Sequence, residues 1–157
     1  MSMKNNEKVC IAFLLAKVHH KLRHRLNQKL RKYDLTIEQR QILLRLFTFG
    51  AMSQRELCEK TLTEPSNITI TLKRMEQRGY IQKVKHPKDK RALLIEATEK
   101  AFKLQKTLEE LGRNTTKNFL GDIEQSKIDT TIEVLQQMYK NELDIELNDV
   151  VTREIFN

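Results

Sequence analysis

The sequence is poor in residues that interrupt helices and in residues that build covalent frameworks. Its 157 residues include four glycines, two prolines, two cysteines and no tryptophan. The cysteines, Cys10 and Cys58, do not make a disulfide framework. No apolar run approaches the ~20 residues of a membrane-spanning helix, and the N-terminus lacks the apolar core and cleavage site of a secretory signal. We therefore expect a cytoplasmic protein without membrane association.

Motifs of common enzyme and cofactor sites are absent as well. The chain has no Gly-rich phosphate loop, no zinc motif and no nucleophile elbow, and no acid–base pair suggests itself. His20 and His24 share one predicted helix face, but no carboxylate or cysteine lies near them to complete a zinc shell. We expect a protein that is not an enzyme and holds neither a metal ion nor another cofactor.

Positive charge is in excess, and it is concentrated in the first part of the chain. The net charge is +8. Residues 1–92 hold 21 Lys/Arg against 8 Asp/Glu, a balance of +13, and residues 93–157 hold 8 against 13, a balance of −5. This asymmetry favours a polyanionic partner for the first part. A merely solvated basic surface is the alternative.

The first 49 residues contain neither glycine nor proline and are free to be helical. Their apolar residues recur three or four apart, which predicts one helix of about six turns. One small core does not cover a helix of that length, so we expect part of the stripe to pack on a second copy of the chain or on other long helices. The stripe comprises Ile11, Leu15, Val18, Leu22, Leu26, Leu30 and Tyr33.

Two capping signals divide the next segment into short helices. Thr36 with Gln39, and Ser53 with Glu56, have the spacing at which a hydroxyl and a carboxylate or amide satisfy each other's backbone donors. Pro65 then stands where the first turn of another helix tolerates proline. Two short helices joined by a tight turn are typical of a helix-turn-helix.

The helix that begins near Pro65 has two different faces and ends at Gly79, where a left-handed residue costs least. Ile68, Leu72 and Met75 recur on one face, which we expect to be buried. The opposite face carries Ser66, Asn67, Thr69, Ile70 and Lys73.

A cationic hairpin follows this helix. Residues 80–85 and 92–96 read as two strands, and residues 86–91 form a turn that contains Pro87. A helix-turn-helix followed by such a hairpin is a winged helix. We therefore predict a mainly α fold with a small β-hairpin wing, of the α+β class.

These segments resemble the multiple antibiotic resistance regulator (MarR) family of bacterial transcription regulators. They follow the family's order without a gap, over roughly residues 8–140, and the Asp-x-Arg of the wing is their most discriminating part. The matching residues are Leu35-Thr36 with Gln39, Gln54-Arg55-Glu56-Leu57, Ile68-Thr69, Leu72-Lys73-Arg74-Met75-Glu76, Gly79-Tyr80-Ile81, Pro87-Lys88-Asp89-Lys90-Arg91 and Thr98-Glu99-Lys100.

The resemblance implies a homodimeric, sequence-specific DNA-binding regulator, a repressor released by a small-molecule effector or by oxidation. Cys10 is the candidate oxidation sensor, with an ordinary helix cysteine as the alternative, and Cys58 is expected to be a buried structural thiol. The implied domains are a dimerisation helix at 1–34, a winged helix at 35–97 (helix-turn-helix 53–76, wing 80–96) and dimerisation helices at 98–142. The acidic extension at 143–157 goes beyond the usual end of the family, and a packed extension and a frayed tail are its two alternatives.

The candidate DNA-binding residues lie at the start of the first short helix, on the second short helix and on the wing. In the major groove Asn67 can pair two-point with adenine, and Ile70, which stands where relatives often place arginine, suits thymine methyl groups. Partial burial of Ile70 is the alternative. By the resemblance Asp89 orients Arg91 toward a minor groove, the alternative being an aspartate that only caps the turn. The full set is Ser53, Ser66, Asn67, Thr69, Ile70, Lys73, Arg74, Lys88, Asp89, Lys90 and Arg91.

Two further helices are predicted after the wing. The first runs from Thr98 to about Leu120, with Gly112 and Gly121 weakening or ending it, and Ser126 is expected to cap the second.

The partner is expected to be a double-stranded operator with the form of an imperfect palindrome, with half-sites about 10 bp apart. Two other functions compete with this prediction. One is a basic architectural protein that coats DNA without sequence preference, and the other is a winged helix that binds protein.

Overall fold

The computed structural model describes residues 10–61, 63–89 and 91–142. Lys90 and the acidic extension 143–157 lie outside these ranges, as do residues 1–9. Across the described ranges, none of the helices combines the length and apolarity that a bilayer span requires. The elements are α1 (Ile11–Leu30), α2 (Ile37–Phe49), α3 (Gln54–Thr61), α4 (Pro65–Gln77), β1 (Ile81–Lys85), β2 (Leu93–Ala97), α5 (Glu99–Phe102), α6 (Gln105–Leu120) and α7 (Gln125–Glu142).

The chain divides into two compact units, Met1–Leu111 and Gly112–Asn157, which are described separately. In the first unit, burial increases along α1. Ile11 is 54% exposed, whereas Leu30 is fully buried against the core. The predicted stripe is therefore helical, and a single core covers only its C-terminal end.

The start of α2 shows the predicted capping box. Gln39 N–H donates to Thr36 Oγ1 at 3.3 Å, and Thr36 N–H donates to Gln39 Oε1 at 3.1 Å. Between α1 and α2 a 3-10 turn, Arg31–Tyr33, leads into Asp34, whose φ of 54° makes the left-handed bend. This bend separates the two helices.

The two-faced helix is α4, and its predicted boundaries are confirmed. Pro65 lies in its first turn, and Gly79 has a φ of 69° just beyond its end. The predicted buried face, Ile68, Leu72 and Met75, is at most 3% exposed. Those three side chains anchor α4 to the core.

The wing is a two-stranded antiparallel hairpin in which Lys83 pairs with Ile95. Met52 forms an isolated antiparallel bridge with Ile95 of β2, through two backbone hydrogen bonds of 3.0 and 2.8 Å. At the base of the hairpin, the Thr98 hydroxyl donates to the Gly79 carbonyl at 2.7 Å. The wing is thus tied both to the start of the helix-turn-helix and to the end of α4.

One apolar cluster holds the first unit together and draws on its helices and its wing. Removing such side chains from water is the main source of its stability. The fully buried members with the largest side chains are Leu30, Ile42, Leu43, Leu46, Leu57, Ile68, Met75, Ile81 and Leu108. Cys58 was expected to be buried, but it is half-buried and packs on the edge of this cluster.

The predicted continuous helix from Thr98 to Leu120 is interrupted. Thr98 caps the short helix α5 through its hydroxyl, which accepts from Ala101 N–H, and a turn at Lys103 and Leu104 precedes α6. Arg40 of α2 donates a hydrogen bond from Nε to the carbonyl of Leu108 in α6, at 3.0 Å. Burial lowers the pKa of this guanidinium to about 10, against the opposing effect of Glu109.

The second unit contains the rest of α6 and α7. Gly112 lies inside α6 and does not end it, whereas Gly121, with a φ of 58°, follows its last residue. The prediction that Ser126 caps α7 is wrong. The helix begins at Gln125, the Glu124 carbonyl accepts its first backbone bonds, and Ser126 donates its hydroxyl to the Glu124 carboxylate at 2.7 Å.

Candidate nucleic-acid interface

The outward face of α4 is a polar surface with one apolar side chain at its centre. Ile70 is 53% exposed. Partial burial of Ile70 was one of two predicted alternatives, and the residue lies on the exposed side of α4, opposite the anchoring face. The other predicted residues of this helix, Ser66, Asn67, Thr69, Lys73 and Arg74, are exposed beside it.

A hydrogen bond from α3 fixes one of these polar groups. Gln54 Nε2 donates to Thr69 Oγ1 at 2.7 Å, and Thr69 in turn donates its proton to the Pro65 carbonyl at 2.9 Å. The Thr69 hydroxyl is therefore held at a set position on the α4 surface. Sequence reasoning did not select Gln54 as a site residue, since the two residues are 15 positions apart and only the fold joins them.

Ser53 stands at the start of α3 in the predicted capping box. Its backbone N–H and its hydroxyl both donate to Glu56 Oε2 at 2.7 Å, and Glu56 N–H donates back to Ser53 Oγ at 3.2 Å. The backbone bond from Ser53, followed by its hydroxyl bond, holds the pKa of Glu56 below its usual value. A phosphate contact by the Ser53 hydroxyl would compete with the hydrogen bonds that this hydroxyl makes to Glu56 in the capping box.

At the wing, Lys88, Asp89 and Arg91 are exposed on a compact turn. The Asp89 carboxylate accepts from the backbone N–H of Arg91 at 2.9 Å, and the Asp89 carbonyl accepts from Ala92 N–H at 3.0 Å. Asp89 thus acts on Arg91 through the main chain, as in the capping alternative, and it fixes where the arginine leaves the turn. Lys90, also predicted here, lies outside the described residues.

A second residue organises the same turn, and sequence reasoning missed it. His86 Nδ1 accepts hydrogen bonds from the backbone N–H groups of Lys88 and Asp89, both at 3.1 Å. The backbone N–H of His86 donates to the Ala92 carbonyl at 3.0 Å and closes the hairpin. Residues 86–91 were recognised as a turn, but an imidazole cap within it has no sequence signature.

Two other cationic side chains near these elements form ion pairs within the protein. Lys83 of β1 pairs with Glu76 of α4 at 3.1 Å, and Arg78 pairs with Asp34 in front of α2. Their charges are partly neutralised within the protein. Lys73 and Arg74 on α4, and Lys88 and Arg91 on the wing, contribute exposed positive charge.

Comparison with known proteins identifies this arrangement. The sequence model of the MarR family matches residues 35–93, which run from the residue before the α2 cap into β2. The winged-helix part of the chain is therefore similar to the MarR family. A curated relative, the HTH-type transcriptional regulator SarZ of Staphylococcus haemolyticus, is 24% identical over 134 residues, which are 85% of this chain and 90% of the relative. Bacillus relatives that are 29 to 36% identical align over 52 to 56% of their own length.

Solved structures of MarR proteins share the fold. A cysteine-to-serine variant of MarR from E. coli, complexed with operator DNA, has a TM-score of 0.76 at 21% identity and covers 87% of this chain and 99% of its own. BpsR of Bordetella bronchiseptica, described with regulation of its DNA binding by 6-hydroxynicotinic acid, has a TM-score of 0.77 at 18% identity and covers 85% and 95%.

The match to the MarR family and the shared fold confirm several expectations from the sequence. The chain has the predicted winged-helix fold, mostly helical with one antiparallel hairpin. MarR proteins are transcription regulators and not enzymes, as the missing catalytic motifs had indicated. The individual DNA-contacting residues and the domain limits stay predictions.

Proposed function

We propose that the chain is a dimeric transcription regulator that binds a double-stranded, imperfectly palindromic operator in the cytoplasm. α4 enters the major groove, and the wing turn reaches the adjacent minor groove. The observation that carries this proposal is the division of α4 into a buried anchor and an exposed reading surface with Ile70 at its centre. A face that only attracted phosphates would need neither an exposed isoleucine at its centre nor a Thr69 hydroxyl held by a hydrogen bond from Gln54.

Base reading is assigned to Asn67, Thr69 and Ile70. An asparagine can make two hydrogen bonds to the major-groove edge of one adenine, and an exposed aliphatic side chain suits a thymine methyl. Thr69 reads from the position at which Gln54 holds it. The phosphate contacts are assigned to Ser53, Ser66, Lys73, Arg74, Lys88 and Lys90, and Arg91, which Asp89 positions, is assigned to the minor groove.

Dimerisation is assigned to helices at both ends of the chain, with the domain limits predicted from the sequence. In the first unit, α1 exposes Ile11, Phe13, Leu14 and Val18, each 47 to 57% accessible. In the second unit, α7 exposes Val134 and Leu135. Exposed apolar side chains that form a contiguous patch are uncommon on a monomer and typical of a protein interface.

A repressor of this design has to release its operator, and two routes stay open. Cys10 is exposed and precedes the first residue of α1, whereas Cys58 packs on the core. If oxidation is the signal, peroxide should lower the affinity for DNA in the wild type and in Cys58→Ser but not in Cys10→Ser. Equal loss in all three proteins would remove Cys10 from the mechanism.

A small-molecule effector is the other route. A cavity of about 410 Å³ lies between the start of α2 and the end of α4, and Arg31, Arg74 and Arg78 line it. Because Arg74 is also assigned to phosphate, an anion held in this cavity would compete with DNA for it. Titration of small carboxylic acids into the DNA complex of wild type and Arg31→Ala tests this route, since only the wild type should release DNA.

Selection of bound sequences from random DNA at physiological salt tests the proposed function. The proposal predicts an imperfect palindrome with half-sites about 10 bp apart. A pool without enrichment would favour the architectural alternative, which uses the same charge without discrimination. Failure to bind any duplex would favour the protein-binding alternative.

A further inference from the structure

We propose that His86 is the positioning residue of the wing, and that its neutral imidazole makes operator discrimination sensitive to acid. This inference rests on the proposed function, because it concerns how the wing contributes to DNA recognition. His86 itself touches the two N–H groups that begin the turn and not the predicted DNA-contacting side chains. Its effect on DNA is therefore indirect and passes through the shape of the turn.

The hydrogen bonds define the protonation state of the ring. A nitrogen that accepts from two N–H groups carries no proton, so the proton of the neutral ring is on Nε2. Both bonds measure 3.1 Å and converge on the single acceptor Nδ1. An imidazolium has a proton on each nitrogen and cannot accept at Nδ1. Protonation of Nδ1 therefore turns its two hydrogen bonds with the Lys88 and Asp89 N–H groups into repulsions between donors, and the ring has to rotate away from them.

The turn depends on this ring because its backbone bonds form one connected series. The backbone N–H of His86 bonds to the Ala92 carbonyl and closes the hairpin. The His86 ring accepts from the N–H groups of Lys88 and Asp89. Asp89 in turn accepts from the N–H groups of Arg91 and Ala92. Loss of the ring cap frees the residues between the two ends of the series. Lys88, Asp89 and Arg91 are the exposed groups that the turn presents.

The charges around the ring act in both directions. Glu56 of α3 interacts electrostatically with His86, and Asp89 lies in the turn itself; both favour the imidazolium. Lys85 at the end of β1, Lys88 in the turn and Arg91 after it oppose the imidazolium. An imidazole ordinarily changes its charge between about pH 5 and 8.

Two effects of the added proton on DNA binding can be separated. One more positive charge strengthens binding to any duplex, because that attraction is independent of sequence. A disordered turn weakens only the contacts that depend on wing geometry. The quantity that isolates the second effect is the ratio of affinities for the selected operator and for a scrambled duplex of the same length and composition.

Asparagine provides a matched control. Its Oδ1 lies the same number of bonds from the backbone as the imidazole Nδ1 and accepts hydrogen bonds without titrating. Asn is also a residue that commonly caps turns in this way. His86→Asn should therefore keep the turn at every pH, and His86→Ala should lack the cap at every pH.

The experiment measures this affinity ratio at about pH 7.5 and about pH 5.5. We expect the wild-type ratio to fall about tenfold on acidification, the His86→Asn ratio to stay constant, and the His86→Ala ratio to be low at both pH values. A constant wild-type ratio, an equal fall in His86→Asn, or a wild-type ratio for His86→Ala at the higher pH would each overturn the proposal.

A readout without DNA distinguishes this proposal from the proposed function. In NMR spectra of the free protein, the amide signals of Lys88 and Asp89 should shift with the titration of His86 in the wild type and stay fixed in His86→Asn. Absence of that coupling overturns the ring cap. If the coupling is present but the wild type fails to discriminate the two duplexes at about pH 7.5, the proposed function fails and the cap stands.

Discussion

Asp89 Oδ1 accepts a 2.9 Å hydrogen bond from the backbone N–H of Arg91, so the carboxylate positions the arginine through its main chain. The side chain of Arg91 is exposed at the turn. This division leaves the guanidinium available to a minor groove while its point of attachment is fixed. Pre-ordering of this kind lowers the entropy cost of binding.

Replacement of Arg91 should weaken operator binding. We expect Arg91→Ala to lower the affinity at fixed salt by about tenfold, and to reduce the slope of log affinity against log salt by about one. Fluorescence anisotropy with a labelled operator over a series of salt concentrations measures both quantities.

Lys127→Ala is the matched control for Arg91, since Lys127 is an exposed cation on α7. It should leave both quantities close to wild type. Asp89→Asn keeps the acceptor for Arg91 N–H and should stay close to wild type, whereas Asp89→Ala should lose affinity. Unchanged affinity in Arg91→Ala would remove the wing from the mechanism.

Ile70 should recognise thymine by its methyl group. Replacing thymine with deoxyuridine deletes only that methyl, and we expect each contacted position to lose about fourfold in affinity. Ile70→Ala should bind the two duplexes equally, because it lacks the apolar partner. A double-mutant cycle of protein and DNA gives the coupling energy directly.

Ile123→Ala is the control for that cycle. Ile123 has the same 53% exposure as Ile70 but lies in the turn before α7. The Ile123→Ala variant should respond to deoxyuridine as the wild type does. If Ile70→Ala also responds like wild type, the thymine assignment is wrong, and a guanine-rich optimum in the selection experiment would refute it independently.

Much of the site could be predicted because its determinants are local in sequence. Thr36 with Gln39, and Ser53 with Glu56, are capping pairs three residues apart, and both formed as predicted. Gly79 ended α4 because its left-handed conformation favours glycine over residues with a Cβ. The buried and exposed faces of α4 likewise follow from its helical period.

The remaining features depend on contacts that sequence spacing does not reveal. Gln54 and Thr69 meet only because α3 and α4 pack together, and Met52 finds Ile95 across 43 positions of the chain. Ser126 was assigned the cap of α7 on residue type alone. The preceding Glu124 offers its carbonyl to the first backbone bonds, and the helix begins there instead.

Glu56 should make the start of α3 sensitive to acid. The bonds from Ser53 hold the folded-state pKa of Glu56 below its unfolded value of about 4.3. The stabilisation is therefore complete above the unfolded pKa and is lost as the pH falls through the folded pKa. Glu56→Gln keeps the capping geometry without the charge, so its denaturation midpoint should depend less on pH.

Urea denaturation at about pH 7 and about pH 3.5 measures this difference between midpoints. Glu59→Gln is the control on the same helix, since Glu59 forms an exposed ion pair with Arg55 and caps nothing. It should change the difference less than Glu56→Gln does. The capping account is contradicted if Glu56→Gln shows the full wild-type dependence on pH.

The exposed apolar end of α1 should be needed for dimerisation. Phe13 and Leu14 are 57% and 47% accessible. Charged substitutions, Phe13→Asp with Leu14→Asp, should shift the sedimentation equilibrium toward monomer and lower operator affinity, because burying unpaired carboxylates is costly. Gln28→Glu, at an exposed polar position of the same helix, should leave the dimer intact. A dimer that persists in the double variant would move the interface elsewhere.

The central claim is that this protein reads the sequence of its DNA and does not merely hold the backbone. Its most direct test is the ratio of affinities for the selected operator and for a scrambled duplex, measured with the full chain at physiological salt. The account predicts a ratio of at least about a thousand, the lower end of specific regulators. A ratio near one, with both affinities falling equally as salt is added, would contradict it.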